Sequence, residues 1–375
     1  MHTDPHVLHV RSSAGLYGAE YVILGLVPAL AGLGICSTVL SLDNPHLREQ
    51  LFYEKAKALG LPAERVPCRG RFDFAAVQAL RRAIANHADV VLHVHDYKSA
   101  LYAWFARGSR RVPIVATAHG QFSFTPSLAL YHRVELRLMR RFDRVCTVAA
   151  DMRPALERAG VPRANICLIE NGIDTARFAP DVTPLARADF GIGDDAVVFG
   201  AAMRLTEQKN PPGLVAAFAQ VAERLPQAVL VVAGEGALRD AMLARATELG
   251  VAPRVRLVGN VAEAARFYTM LDVFVLPSLY EGLPLALLEA MAAQCRIVAT
   301  RVGQIPQVLA DLGVELVRPG EDAAFAQAMI AAAAERSSTE ELRRRVVERY
   351  SVARMAGEYA QVYDEARSRH GRLAA

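Results

Sequence analysis

Arg204 and Lys209 stand in "AAMRLTEQKNP", directly after an apolar, β-rich run and ahead of Pro211-Pro212, which mark a helix start. Two fixed cations at a helix N-terminus suit a diphosphate, whose charge the helix dipole stabilises further. A pair of solvated surface charges is the alternative. Glu281 and Glu289, with seven residues between them, lie in "SLYEGLPLALLEAMAAQ". The first sits in a Gly/Pro turn after the apolar run "VFVLPS" and the second inside the helical run that follows. A carboxylate there can accept two vicinal ribose hydroxyls, and the amides of Gly282, Leu283 and Leu285 can reach a phosphate, whereas Pro284 has no donor. A helix entrance and a stray surface charge are the plainer reading.

His95 and Asp96 in "VHDYKSA" and His119 in "ATAHGQF" also follow apolar runs. A histidine at a strand end can donate to a sugar hydroxyl or to a developing charge, and a loop or capping role is the alternative. "RSSAGLYGAEYVILGL" places Gly15, Tyr17 and Gly18 before a helix that should begin near Ala19, where backbone N–H groups can approach a phosphate or sugar closely. The dinucleotide fingerprint Gly-x-Gly-x-x-Gly is missing, although Asp43 falls roughly where its ribose-binding acid would be.

These residues matter only if something brings them together. The first half alternates strand-like runs at 6–10, 36–42, 89–95, 113–119 and 144–150 with helical segments such as 20–32 and 74–87. The pattern restarts with strands at 196–203, 228–234, 255–259, 273–278, 295–300 and 313–317 and helices at 211–225, 236–250, 284–293 and 321–335. Such alternation implies doubly wound parallel sheets, whose ligands bind beyond the carboxyl ends of the strands. The expected domains are 1–185, 186–351 and a terminal helix in 352–375 that packs back on the N-terminal domain through Tyr359 and Tyr363.

The 375 residues exceed the usual single-domain range of about 100–200, which agrees with two cores. No basic leader and no apolar run of about 18 residues stands out, so neither secretion nor a membrane span is expected. The five cysteines are scattered and never spaced Cys-x-x-Cys, as for reduced thiols in a cytoplasm. Net charge is only +4, but residues 1–185 hold 22 Lys+Arg against 16 Asp+Glu. Arg133, Arg137, Arg140, Arg141 and Arg144 recur at helical spacing, as on a helix lying against an anionic membrane or as a solvated face.

Taken in order, "GLYGAE", "HVHD", "TAHG", "ENGID", "RLTEQKN", "AGEG", "LVGNV" and "YEGLPLALLEAMA" resemble the retaining glycosyltransferases of family 4, over about residues 6 to 365. The resemblance implies a GT-B fold, two Rossmann-like α/β domains facing across a cleft, the first for an acceptor and the second for a nucleotide sugar. It implies that Arg204 and Lys209 bind the donor diphosphate, Glu289 the ribose and Glu281 the sugar near its reacting carbon. His119 would contact the sugar from the other domain, Gly18 would line the phosphate side, and Gly259, Asn260 and Val261 would meet the base. Gly15, Tyr17, His95 and Asp96 fall on the acceptor side. Tyr17-Gly18 stands where the family often has Gly-Gly, and Gln304 and Gln307 where it often has Gly and Glu.

The implied partners are a nucleotide sugar and a glycan or lipid-linked acceptor, with inner-membrane contact through the basic half and no nucleic acid. No cofactor or metal is expected: metal-dependent transferases use Asp-x-Asp, and no two aspartates here are two apart. A nucleotide-sugar 2-epimerase on the same architecture, a dinucleotide-dependent oxidoreductase and a non-catalytic sugar binder are the competing readings.

Overall fold

Residues 5–13, 15–43, 50–70, 72–108, 112–119, 126–335 and 337–374 are described in the computed structural model of the chain. Irregular loops of the N-terminal half at 43–53, 67–74 and 120–130, where the sequence leads one to expect acceptor choice to lie, fall partly outside them, at 44–49, 71 and 120–125.

The first unit spans Met1–Gly172 and Val352–Ala375. Its strands are β1 His6–Ser12, β2 Ser37–Leu42, β3 Ala63–Val66, β4 Val90–Val94, β5 Ile114–Ala118, β6 Arg144–Thr147 and β7 Ile166–Leu168. They form one parallel sheet in the order β3-β2-β1-β4-β5-β6-β7. The helices between them are α1 Gly18–Ala31, α2 Leu51–Ala58, α3 Phe74–Ala85, α4 Tyr97–Arg107, α5 Pro126–Met139 and α6 Arg153–Arg158. In α3, Asp73 caps the start by accepting from Ala75 N–H, and Ala76, Val77, Leu80, Ala83 and Ile84 recur on the buried face. Central strands β2 and β4 are buried at every residue, as strands covered on both faces must be, and apolar clusters line both sides of the sheet.

The second unit is the continuous segment Ile173–Ser351. It contains β8 Val197–Ala202, β9 Ala228–Ala233, β10 Val255–Gly259, β11 Val273–Leu276, β12 Arg296–Thr300 and β13 Leu316–Val317, in the order β10-β9-β8-β11-β12-β13. Its helices are α7 Pro211–Arg224, α8 Arg239–Glu248, α9 Ala264–Met270, α10 Leu285–Ala292, α11 Ile305–Val308, α12 Asp322–Ala334 and α13 Glu340–Arg349. Residues 173–185, assigned above to the first domain, thus fold with the second unit, where Ile173 bridges Ser351. The chain then returns to the first unit as α14, Val352–Ala374, which packs on α1 and β5.

The arginine stripe is not one helical face. Helix α5 ends at Met139; Arg140 donates to Ala159 O, Arg141 lies 5.9 Å from the centre of the Trp104 ring, and Arg144 begins β6. Buried Arg144 reaches Glu365 Oε2 at 2.8 Å, so its charge is spent inside the unit. Only Arg133 and Arg137 remain as exposed arginines on the helix itself.

Candidate active site

In the second unit the strand order reverses between β8 and β11, so the loops leaving their carboxyl ends are neighbours. The loop after β8 carries Arg204 and then the short turn Glu207–Lys209; the loop after β11 carries Ser278 and Glu281. Leu279 N–H donates to Gln208 O at 2.8 Å, and Gln208 Nε2 reaches Tyr280 O at 3.1 Å and Glu281 Oε2 at 3.4 Å. Lys209 Nζ lies 2.5 Å from Glu281 Oε1, which also accepts from Ser278 Oγ at 2.6 Å. With side chains only 12% and 5% exposed, Lys209 and Glu281 form a buried, charge-assisted pair. Arg204 is exposed, its guanidinium 3.5 Å from Gln208 Oε1.

Backbone geometry holds this arrangement from behind. Gly303, at φ +54°, passes so near that a Cβ there would lie 2.2 Å from Glu281 O, while Gln304 N–H donates to Gly282 O at 3.0 Å. Among the described residues, the N–H groups of Gly282, Leu283 and Leu285 have no acceptor within the chain, which leaves three donors at the start of α10. Helix α7 differs: Pro211 and Pro212 occupy its first two positions and carry no N–H.

On α10, Glu289 Oε2 accepts from Tyr268 OH at 2.6 Å. Burial raises its carboxyl pKa, opposed by the Tyr268 bond and the charge of Arg177. At the end of β10, Gly259 takes φ +69° and accepts from Gly234 N–H at 2.7 Å; Asn260 is exposed and Val261 half-buried.

The first unit reverses its strand order between β1 and β4, and histidines gather there. His9 on β1 faces His93 on β4 in register, and His95 follows just beyond β4. His9 Nδ1 lies 3.2 Å from His95 Nε2, and His95 Nδ1 lies 3.0 Å from His119 Nε2, just beyond β5. His93 is held separately, by Tyr363 OH at 2.8 Å and Thr117 Oγ1 at 2.7 Å; Thr117 also bonds Tyr359 OH at 2.8 Å. Burial drives these imidazoles to the neutral form: His9 and His119 fall to about 3, aided by His6 and Arg11 respectively, and His93 and His95 drop well below the usual value. Nitrogens of His9, His93 and His95 lie within 4.8 Å of one another, a spacing that suits a metal ion. Every one except His9 Nε2 is already hydrogen-bonded, so a metal would have to displace those bonds.

Asp96 caps α4, with Oδ1 accepting from Lys98 and Ser99 N–H and Oδ2 from Ser12 N–H at 2.8 Å. The capping alternative therefore accounts for Asp96. His95 is 3% exposed and stands behind His119, out of a ligand's reach. Glu20 closes the turn before α1 by accepting from Tyr17 N–H at 2.9 Å and Arg11 Nε at 2.8 Å, so the helix begins at Gly18. Tyr17 is 41% exposed, with its ring over Gly15, where a Cβ would lie 3.0 Å from it.

The structure thus joins Arg204, Lys209 and Glu281 in one loop pair, and places Glu289 and residues 259–261 on the same unit, apart from the histidines. Sequence reasoning missed His9, His93, Arg11, Glu20, Gln208, Tyr268 and Ser278. The alternation of His93 with His95, which puts both on one face of an extended segment, was a usable signal. Tyr268 meets Glu289 only through tertiary packing and had none.

Two Rossmann-like parallel sheets, each gathering polar residues where its strand order reverses, define a GT-B architecture. Residues 182–350 match the family model described as "Glycosyl transferases group 1", and residues 16–177 the one described as "Glycosyltransferase Family 4". The chain belongs to these group 1, family 4 glycosyltransferases. It is 32% identical to a D-inositol 3-phosphate glycosyltransferase of Actinosynnema mirum, over 67% of this chain and 66% of that protein. It is 28% identical to the UDP-Gal:alpha-D-GlcNAc-diphosphoundecaprenol alpha-1,3-galactosyltransferase of Escherichia coli, over 59% and 60% respectively. The crystal structure of Anabaena Alr3699/HepE in complex with UDP is similar with a TM-score of 0.79 at 19% identity, covering 96% of this chain and 99% of that one, a likeness of fold.

Proposed function

We propose that the enzyme moves a sugar, with retention, from a nucleoside-diphosphate sugar to a glycan or lipid-linked acceptor, without a metal, in cell-surface polysaccharide or glycolipid synthesis. The observation that carries this reading is the loop pair of the second unit, where Arg204, Lys209 and the free amides before α10 supply cations and donors while Glu281 and Glu289 supply acceptors. As the bond from the sugar to the β-phosphate loosens, charge grows on the leaving phosphate, and Arg204 and Lys209 stabilise it. The acceptor oxygen bonds to the anomeric carbon on the same face, and its proton passes to the leaving phosphate. Glu281 is no nucleophile in this scheme: its carboxylate holds Lys209 in place and faces the sugar. Glu289 takes the ribose hydroxyls, residues 259–261 meet the base, Gly18 lines the phosphate side, and His119 contacts the sugar.

A screen of nucleotide sugars by thermal shift tests the reading, since a ligand of the folded state raises its melting temperature. One donor is expected to stabilise the wild type and to lose most of that effect in Glu289→Ala. Equal donor affinity in that variant would remove Glu289 from the ribose site.

A lipid-linked acceptor would bring the enzyme to the cytoplasmic face of a membrane. Among the described residues no helix is long and apolar enough to cross one. Phe72, Phe74 and Phe105 are 48%, 63% and 46% exposed, Phe72 and Phe105 meet edge to face at 5.4 Å, and Arg107 and Arg141 both lie over Trp104. Exposed aromatic and cationic groups of the first unit suit the interface of an anionic bilayer better than the helix stripe expected from sequence. Replacing Phe72, Phe74 and Phe105 by serine and Arg141 by glutamate should abolish sedimentation with phosphatidylglycerol liposomes; undiminished binding would count against this surface.

A further inference from the structure

Glu289 stands half-buried on α10 with its two carboxylate oxygens in different situations. Oε2 accepts from Tyr268 OH at 2.6 Å, the length of a bond from a hydroxyl to an anion, whereas Oε1 accepts from no described residue and is open at the surface. Tyr268 cannot turn away. Its ring, 1% exposed on α9, meets Phe178 at 5.9 Å, Phe267 at 5.8 Å and Phe274 at 5.7 Å, and among the described residues its hydroxyl has Glu289 alone as partner. Each carboxylate oxygen offers two acceptor positions. Oε1, with the position that Tyr268 leaves vacant on Oε2, can therefore take two vicinal hydroxyls, but only while the group is ionised; a protonated carboxyl would present a donor instead.

We infer that Tyr268 is a positioning residue of the donor site: by occupying Glu289 Oε2 it presents Oε1 outward, as an anionic acceptor, to the ribose diol. The inference deepens the proposed glycosyl transfer and rests on it for the identity of the ligand. Glu289 and Tyr268 both belong to the second unit, as do the other groups invoked.

Helices α9 and α13 and strand β12 pack against α10. Helix α9 supplies Tyr268; Arg343 of α13 donates to Ala292 O at 2.7 Å, at the far end of α10; and β12 holds only Arg296, at its amino end. Arg177, ahead of β8, adds a positive charge, and the Cys295 thiol, which donates to Tyr268 O at 3.2 Å, is pushed up to about 12 by burial and stays neutral. Burial raises the Glu289 pKa, and the bond from Tyr268 is the largest influence against that rise, ahead of Arg177. Without the hydroxyl the carboxyl should take up its proton at a higher pH and stop accepting from the diol there.

The test has two arms on the full-length enzyme. In the first, carbon NMR of glutamate labelled at the side-chain carboxyl follows the Glu289 titration, assigned by its loss in Glu289→Gln. The midpoint should rise in Tyr268→Phe and fall when tyrosine is replaced by 3-fluorotyrosine, whose hydroxyl is the stronger donor; the second replacement keeps the test open if Tyr268→Phe does not fold. In the second arm, calorimetry with UDP-glucose, GDP-mannose and ADP-glucose as probes follows Kd from pH 8 to pH 5. The ratio of Kd in Tyr268→Phe to that in the wild type should grow as pH falls, by up to about tenfold per pH unit, the slope of one proton. A Glu289 midpoint indifferent to both replacements overturns the inference. A midpoint that moves while the Kd ratio stays constant overturns the link from Tyr268 to the diol. Equal probe affinity in Glu289→Ala and the wild type, or no binding of any probe, counts instead against the glycosyl-transfer reading, and the titration still decides whether Tyr268 governs the carboxylate.

Discussion

Arg204→Ala combined with Lys209→Ala is expected to lower kcat by about a thousandfold, since removing a single preorganised donor to a developing anion costs about 10²–10³. The two cations will not contribute alike. Arg204 is exposed, so its loss should act on turnover and leave stability nearly unchanged. Lys209 is the partner of buried Glu281, and Lys209→Ala strands that carboxylate with Ser278 and Gln208. Breaking a buried ion pair from one side costs about 3–5 kcal/mol, so this variant should melt earlier as well as turn over slowly. Lys209→Met with Glu281→Leu separates the effects: stability should return towards wild type while turnover stays low. Near-normal turnover in the Arg204/Lys209 double variant would sink the charge-stabilisation account.

Acid should unfold the first unit early. His9 and His119, at about 3 in the folded protein, and His93 and His95, well below their usual value, recover an ordinary value near 6.5 when the chain unfolds. Between pH 6.5 and about 3 the unfolded chain therefore binds protons that the folded one refuses, and stability falls as pH falls. Each imidazole contributes up to about 1.4 kcal/mol per pH unit across that window. Buried Glu135 works the other way, because its raised carboxyl pKa lets the folded form take up a proton first. Acting together, the histidines can exhaust a net stability of about 5–15 kcal/mol before pH 4. Trp104, the single tryptophan, lies on α4 in the first unit and reports on it. Urea titrations followed by its fluorescence should show the midpoint dropping from pH 7 to pH 5; an unchanged midpoint would contradict the buried neutral cluster.

Much of the fold was legible because buried parallel strands read as apolar runs: "VVLHV" and "VFVL" are covered at every residue. Strands β3 and β7 escaped notice, for they are short edges, and "AERV" exposes its two charges. Helix α13 was missed too; "EELRRRVVER" buries only Leu342 and Val346, too few to mark an apolar stripe. At the site, the residues placed after strands did gather at the reversals of strand order. Their partners were not legible: that Lys209 would meet Glu281, or that Asp96 would also accept from Ser12 N–H, depends on which strands are neighbours. Arg144 carries two readings in the sequence, as the start of a strand at 144–150 and as the last member of a helical arginine stripe, and the structure keeps only the strand.

The second unit is one unbroken segment, whereas the first is closed by α14 from the far end of the chain. Tyr363 and Tyr359 on that helix satisfy buried His93 and Thr117. During synthesis the ribosome delivers the complete second unit while the first still lacks the hydroxyls its core requires. The domain begun first is finished last, and its polar centre stays unsatisfied until the final helix has emerged.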